Sequence, residues 1–520
     1  MRAACGTAAA APTSAAPAWW SRSRRRPRRR CRRRRRRRRR RAPSPPRRRR
    51  RRPRSSSSEP RARARRAGPL GGHAGLLWSR PSLSSFSSSP CSYITPHGRS
   101  SAAMALREDD GITGPMAVVT ICKSLLGGAI FSLSYALRQG TLLPGMLSLG
   151  FTGIVAAASF HMLGGASRQW GLSSFRGLWQ RSVGSSLAMD WIIVVNGCLT
   201  LLSYAVMVAD NTSSALVGLL GEGHPLALGR EAAVLVVALG VLLPLCLAPT
   251  LTALRHASVL GMCAMCYTIL LVLLDAALSP AAREQDPELA VPIARLTPGL
   301  FSAIAIFSQS FVAHYNAPTI YSELRDKRPS SWTRVVATAY ALAFAAYLSF
   351  ALAGARRFGS RVEGNVLRMY PATTATMLAW LSISVSTAMS YPLVFHPFRD
   401  SCVGLLCRWR GSAVEKAPPA EVRSQQVLVA LAFVPLSALV GGRVDDLGVV
   451  NALTGAVTGC LVAYICPAII YRTAVRGRLR SSEPQGEARL RRSSAAAVAI
   501  GVTGVFFACV GTVVVLAGVE

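Results

Sequence analysis

The chain has 520 residues, half of them hydrophobic and only 16% charged, yet its formal net charge is +39. That charge is unevenly placed: residues 1–110 carry 32 of the 62 Lys and Arg but 4 of the 23 Asp and Glu. An apolar remainder of about 400 residues excludes a nucleic-acid-binding protein of ordinary basic type, and 13 cysteines that mostly fall in apolar runs or the arm suggest no disulfide framework.

The first 110 residues form an arm rich in Arg, Ser and Pro, with ten consecutive arginines at Arg32–Arg41 and six at Arg47–Arg52. Like charges repel and no apolar periodicity offsets ordering entropy, so the arm is expected to be disordered. A cytosolic tail touching anionic lipid head groups fits this composition. Nucleic-acid binding lacks an accompanying recognition fold, and a transit peptide would be amphipathic. A further reading places the true start at Met104.

From residue 111 onward, apolar runs of membrane-crossing length recur. Eleven are predicted, at 114–137, 141–164, 186–209, 231–249, 256–277, 298–321, 333–354, 372–395, 425–441, 447–470 and 496–517. With the N-terminus in the cytosol, the cytosolic connectors hold 20 Lys and Arg and the opposite ones 9, as the positive-inside rule requires. One connector dissents, since "RRFGSRVEGNVLR" puts four arginines outside.

The first span, "KSLLGGAIFSLSYALRQG", contains Lys123 and the pair Gly127–Gly128 where a membrane helix should be uniformly apolar. The sixth, "SAIAIFSQSFVAHYNAPTIYSEL", holds Gln309, Ser310, His314, Asn316 and Pro318 within ten positions. Irregular backbone at membrane depth is tolerated only inside protein or against a cavity. Transporters use such interruptions to present N–H groups to an anion and carbonyls to a cation. Two broken helices, each heading a block of five, predict an all-α integral membrane protein built as a 5+5 inverted repeat with one accessory helix.

The motifs then become specific. "GGAIFSLSYALRQG" resembles the first-helix signature of the amino acid/auxin permease family, and "SFVAHYNAPTIYSELRD" is similar to its sixth helix and following turn. "RFGSRVEGNVLRMYP" and "SYPLVFHPFRD" resemble the segments after helix seven and at the end of helix eight. The resemblance spans roughly 112–520 and is nearest in detail to the neutral amino acid transporter branch. It implies a LeuT-type fold, a monomer, and secondary active transport of amino acids, with no enzymatic activity and no cofactor. Plasma membrane and vacuolar or lysosomal membrane both fit.

The same resemblance suggests roles. Backbone at Leu126, Gly127, Gly128 and Ala129 would meet a substrate carboxylate. Carbonyls near Phe307–Ser310, with Gln309 or Ser310, would take its ammonium, and Phe311 and Tyr204 would wall its side chain. Lys123 stands where sodium-coupled members have Asn. As a fixed or titrating cation bridging to Ser386, Thr387 and Ser390 of helix eight, it points to H+ rather than Na+ coupling. His314 is either a coupling residue or a packing residue bonded to a backbone carbonyl. Asp190 and Asp210 lie near span ends and carry no role in this reading, and Asn451 is expected to be interhelical glue. Asn211-Thr212-Ser213 is a glycosylation acceptor on the non-cytosolic side, close to the membrane surface. "CAMC" at Cys263–Cys266 has a redox or metal spacing without a partner pair. The competing functions are an amino-acid sensor on the same fold and a Na+-coupled symporter. Neither the sequence motifs of intramembrane hydrolases nor the ring symmetry of a channel is present.

Overall fold

Thr113 and Pro115 open the first helix, α1 (Gly114–Leu125), Pro filling a first-turn position where its missing N–H costs nothing. The computed structural model describes residues 111–248, 257–411, 418–479 and 484–518; the arginine-rich arm and Met104 lie outside them. After α1 the backbone extends through Gly127 (φ −118°, ψ −171°), tightens into a 3₁₀ turn at Gly128–Ser132 and continues as α2 (Leu133–Gly140). The two halves meet at 55°. α3 (Leu142–Trp170) returns, the short α4 (Phe175–Val183) turns, and α5 (Leu187–Leu220) crosses again.

α6 (Arg230–Val237) continues through a π-helical turn into α7 (Leu243–Leu247), and α8 (Ala257–Leu278) and the short α9 (Ala282–Gln285) complete the first block. The second block again begins with an interrupted pair, α10 (Gly299–Ser310) and α11 (Ala317–Glu323). Pro318 in the first turn of α11 cannot donate a backbone hydrogen bond, so the chain restarts rather than continues there. α12 (Pro329–Phe358), α13 (Thr374–Trp409) and α14 (Pro419–Arg443) follow. α15 (Leu447–Thr454) runs through two π-helical turns into α16 (Cys466–Leu479), and α17 (Pro484–Leu516) ends the described chain.

Among the described residues nine helices are long and apolar enough to cross a membrane, and α1 with α2 makes a tenth. α10 with α11 is the second broken crossing. In an apolar 18-residue stretch of α15–α16, 72% of the residues are buried, which makes it central, whereas in that of α17 11% are, which makes it peripheral, the place of an accessory helix.

Side chains sort into two cores. The larger draws on α1, α2, α3, α10, α11, α12 and α15–α16, and the smaller on α5, α6, α13 and α14. α5 and α13 face both: Met207 and Trp380 pack in the first, Leu201 and Tyr391 in the second. The first and sixth crossings are also pinned together at one end, where Ile112 N–H donates to Glu323 O (2.8 Å) and Arg325 N–H to Ile112 O (3.0 Å).

Candidate functional site

The interruption of the first crossing is half-buried from Leu126 to Ala129, in contrast to Leu125 and Ile130 on either side, which are buried. Gly127 needs no glycine conformation, since its backbone is extended. What it has is space: a Cβ there would find only Leu125 O, at 3.8 Å. Gly128 is different, because a Cβ would lie 2.4 Å from Met207 Cε on α5. The N–H groups of Gly128 and Ala129 precede the first internal bond of the turn, from Ile130 N to Gly127 O (3.2 Å). The turn therefore offers backbone donors beside an open approach, which suits a carboxylate.

On the second interruption, Phe307 and Phe311 are fully buried. Phe311 packs against Gly153 and stacks on Tyr340, with Tyr347 edge-on. Phe307 O accepts from Phe311 N–H (3.2 Å), and Gln309 O from Val312 N–H (3.1 Å). Ser310 Oγ donates to Ile306 O within its own helix (2.9 Å), and the Gln309 side chain lies beside Gly455 and Gly459 on the α15–α16 side. His314 is buried, its Nε2 placed 2.9 Å from Ser159 Oγ and 3.2 Å from Ala156 O on α3. That carbonyl belongs to a continuous helix, not to either break. Beyond α11, the guanidinium and N–H of Arg328 bond Asp326 and hold its carboxyl down at about 2.

The two breaks are brought together by a residue that the sequence reading passed over. Tyr347, in the middle of α12 and fully buried, places its hydroxyl 2.5 Å from Leu125 O and 2.8 Å from Ser310 O. One O–H proton thus serves the carbonyls of both broken helices. Met207, one turn beyond Tyr204, is the α5 side chain that meets Gly128, while Tyr204 itself packs with the second core.

The residues read as a cation group are more dispersed. Lys123 is exposed on α1 and makes no hydrogen bond or ion pair with any described residue. Its neighbour Ser124 accepts from Asn316 Nδ2 (3.2 Å). Thr387 Oγ1 donates to Met207 Sδ (3.3 Å), Ser390 Oγ to Ser386 O (2.8 Å), and Ser386 faces Gly261 of α8.

A second polar region was under-read. α5 continues to Leu220 rather than stopping at 209, so Asp210 and Asn211 lie inside the helix, 1% and 0% exposed. Arg230 donates from Nε to Asp210 Oδ1 (2.8 Å), from Nη1 to Asp445 (2.5 Å) and from Nη2 to Val444 O (2.6 Å). Asn365 Nδ2 donates to Asp210 Oδ2 (3.1 Å) and approaches Asn211 Oδ1 (3.4 Å). Arg368 stands 3.8 Å from Asp210. A cavity of about 300 Å³, lined by Asp210, Ser214, Arg230, Arg368, Tyr370 and Trp380 among others, adjoins the cluster. Asp190, at the far end of the same helix, is likewise buried and paired with Arg176 and Arg408. Asp190 lies near the span end as expected from sequence and Asp210 lies deeper in the helix than expected, and both are buried and paired to arginines.

These contacts bear on two features of the sequence. Asn211 of the sequon is buried against Asn365, within the packed face of α5. Three of the four dissenting arginines are committed locally: Arg356 caps α8 through Ala276 O and Ser279 O, Arg357 pairs with Asp275 (2.9 Å), and Arg368 with Asp210 and Glu363, while Arg361 is exposed. Cys263 and Cys266 are exposed on α8, and no group of three metal-ligating side chains occurs among the described residues.

The family described as transmembrane amino acid transporter protein matches residues 110–517. Vacuolar amino acid transporter 5 of Schizosaccharomyces pombe is 26% identical over 403 residues, covering 75% of this chain and 92% of that one. The sodium-coupled neutral amino acid transporter 7 of Rattus norvegicus is 23% identical over 291 residues, 55% of this chain and 62% of that one. Among solved structures, the nucleobase-cation-symport-1 transporter Mhp1 in a closed conformation aligns over 79% of this chain and 92% of its own, with 13% identity and a TM-score of 0.47.

Proposed function

We propose that this chain, which belongs to the transmembrane amino acid transporter family, is a secondary active transporter that moves neutral amino acids and couples their movement to protons rather than Na+. The substrate carboxylate rests on the backbone of Leu126–Ala129, where Gly127 leaves room for close approach. Phe307, Gln309, Ser310 and Phe311 supply the second interruption, and the first core walls the substrate side chain.

The observation that carries the coupling assignment is the Tyr347 hydroxyl between Leu125 O and Ser310 O. Carbonyls freed by broken helices commonly converge on a cation; here a protein donor stands between them. Lys123 adds a fixed positive charge on the same helix, in the position that Asn takes in sodium-coupled members. Thr387 and Ser390 are engaged within the protein, which also supports independence from Na+. A cytosolic N-terminus fits the bias of Lys and Arg between the connectors, and Arg356, Arg357 and Arg368 of the dissenting connector are held in caps and ion pairs.

The test is uptake of labelled neutral amino acids into proteoliposomes, with a pH gradient and a Na+ gradient imposed separately. Uptake driven by the pH gradient alone, and impaired in Lys123→Asn, is the expected result. A requirement for Na+ overturns the coupling assignment. Binding without flux under either gradient favours a sensor.

A further inference from the structure

Three features of α5 are unused by this reading: a buried carboxylate near one end, the cavity beside it, and a run of hydrogen bonds leading away from it toward the first broken helix. Ser203 on α5 donates to Asn451 Oδ1 (2.7 Å), whose Nδ2 donates to Ser132 Oγ (2.8 Å) at the end of the 3₁₀ turn. Ser132 in turn donates to Gly364 O (2.7 Å) in the connector between α12 and α13. The next residue, Asn365, donates to Asp210. Arg138 of α2 also donates to that connector, at Val362 O (3.0 Å), and Trp380 holds Leu367 O (2.9 Å). The connector is thereby clasped on one side by the outer half of the first crossing and on the other by Asp210.

We propose that Asp210 is the proton-binding group of the transport cycle, and that its ionised form holds the α12–α13 connector shut over the first broken helix. This rests on the proton-coupled reading above and names the residue through which it works. A proton from the aqueous side adds to one carboxylate oxygen and converts an anion to a neutral acid, with no other bond made or broken. Arg230 then keeps only Asp445 and Val444 O as strong partners, and Asn365 loses its charged acceptor. The connector loses its hold on α5, and Ser132 loses its hold on the connector.

The surroundings of Asp210 are defined from every side. α6 presents Arg230, with Glu231 following it and paired to Arg443 (3.5 Å). The connector presents Asn365, Arg368 and Glu363, the last 3.9 Å from Arg368. The α14–α15 turn presents Asp445 through Arg230. α5 itself contributes the uncharged Asn211, Ser213 and Ser214, and α13 contributes Trp380. Protons have a route, because the cavity is lined by both Asp210 and Arg368, the latter 31% exposed.

The experiment compares wild type, Asp210→Asn and Asp210→Glu in proteoliposomes with labelled neutral amino acids. Two readouts are taken: accumulation under a pH gradient, and exchange at equal pH on both sides. Asparagine mimics the protonated form, so pH-driven accumulation should fall at least tenfold and its pH profile flatten, while exchange at equal pH falls by a smaller factor than accumulation does. Glutamate should restore accumulation with a displaced pH profile. Asp210→Asn that still accumulates under the gradient overturns the proposal and leaves proton coupling intact. Loss of exchange and accumulation together, not rescued by glutamate, also overturns it and makes the clasp structural. Wild type that does not respond to the gradient brings down the proton-coupled reading itself, and this assignment with it.

Discussion

At the scale of single residues, the two breaks make opposite demands on substitution. Gly127 has extended backbone and free space, so alanine fits without strain and restricts the unfolded chain, a stabilisation of about 0.4–1 kcal/mol. Gly127→Ala should therefore keep or slightly raise the melting temperature in detergent while uptake falls tenfold or more, because its methyl group occupies the approach to the backbone. Unchanged uptake would remove this backbone from the substrate site. Tyr347→Phe acts the other way. It strips the hydroxyl held against Leu125 O and Ser310 O, both buried, and leaving such acceptors unmade costs about 1–3 kcal/mol. Its melting temperature should drop with its uptake. The corresponding change at Tyr340, whose bond to Phe311 O is longer at 3.4 Å, should be milder on both readouts.

At the scale of elements, the connector between α12 and α13 is fixed by close backbone approach as well as by hydrogen bonds. A Cβ on Gly364 would lie 1.9 Å from Asp446 Oδ1 and 2.3 Å from the Gly448 amide nitrogen, in the capped first turn of α15. Backbone there cannot retreat, so Gly364→Ala should lift the connector. Faster tryptic cleavage at Arg361, together with reduced uptake, is the expected outcome; cleavage at the wild-type rate would mean the contact yields. This element also shows what the sequence made readable. Existence, order and the two interruptions of the helices follow from apolar run length and from Gly127, Gly128 and Pro318. The ends do not. "ADNTSSALVGLL" reads as a polar exit from the membrane because the groups that neutralise it are remote in sequence: Arg230 for Asp210, and Asn365 for Asp210 and Asn211. Tyr347 was illegible for a related reason, since nothing in "AFAAYLSFALAG" distinguishes an aromatic that packs from one whose hydroxyl joins two distant carbonyls. The sequence points to Tyr204, whereas it is Met207, one turn away, that meets Gly128, and only the packing of α5 between two cores separates them.

At the scale of the whole molecule, the two cores divide the labour. The first contains both broken helices and α12, whose tyrosine joins them; the second contains α6 and α14, with α5 and α13 shared. Two buried aspartates sit toward opposite ends of α5, each paired to arginines on other elements, about 30 Å apart at 1.5 Å per residue. Every contact used here to build the site falls within residues 111–518, and the family match begins at residue 110. The arginine-rich arm contributes charge to the chain and lies outside the described residues. A protein starting at Met104 should therefore retain the melting temperature and the pH-driven uptake of the full chain within about twofold, measured side by side in proteoliposomes of neutral lipid. Adding anionic lipid should change only the full chain, through attraction of about 1 kcal/mol for each arginine near the surface, lost at high salt. A shortened protein that folds but no longer transports would instead make the arm part of the transport machinery.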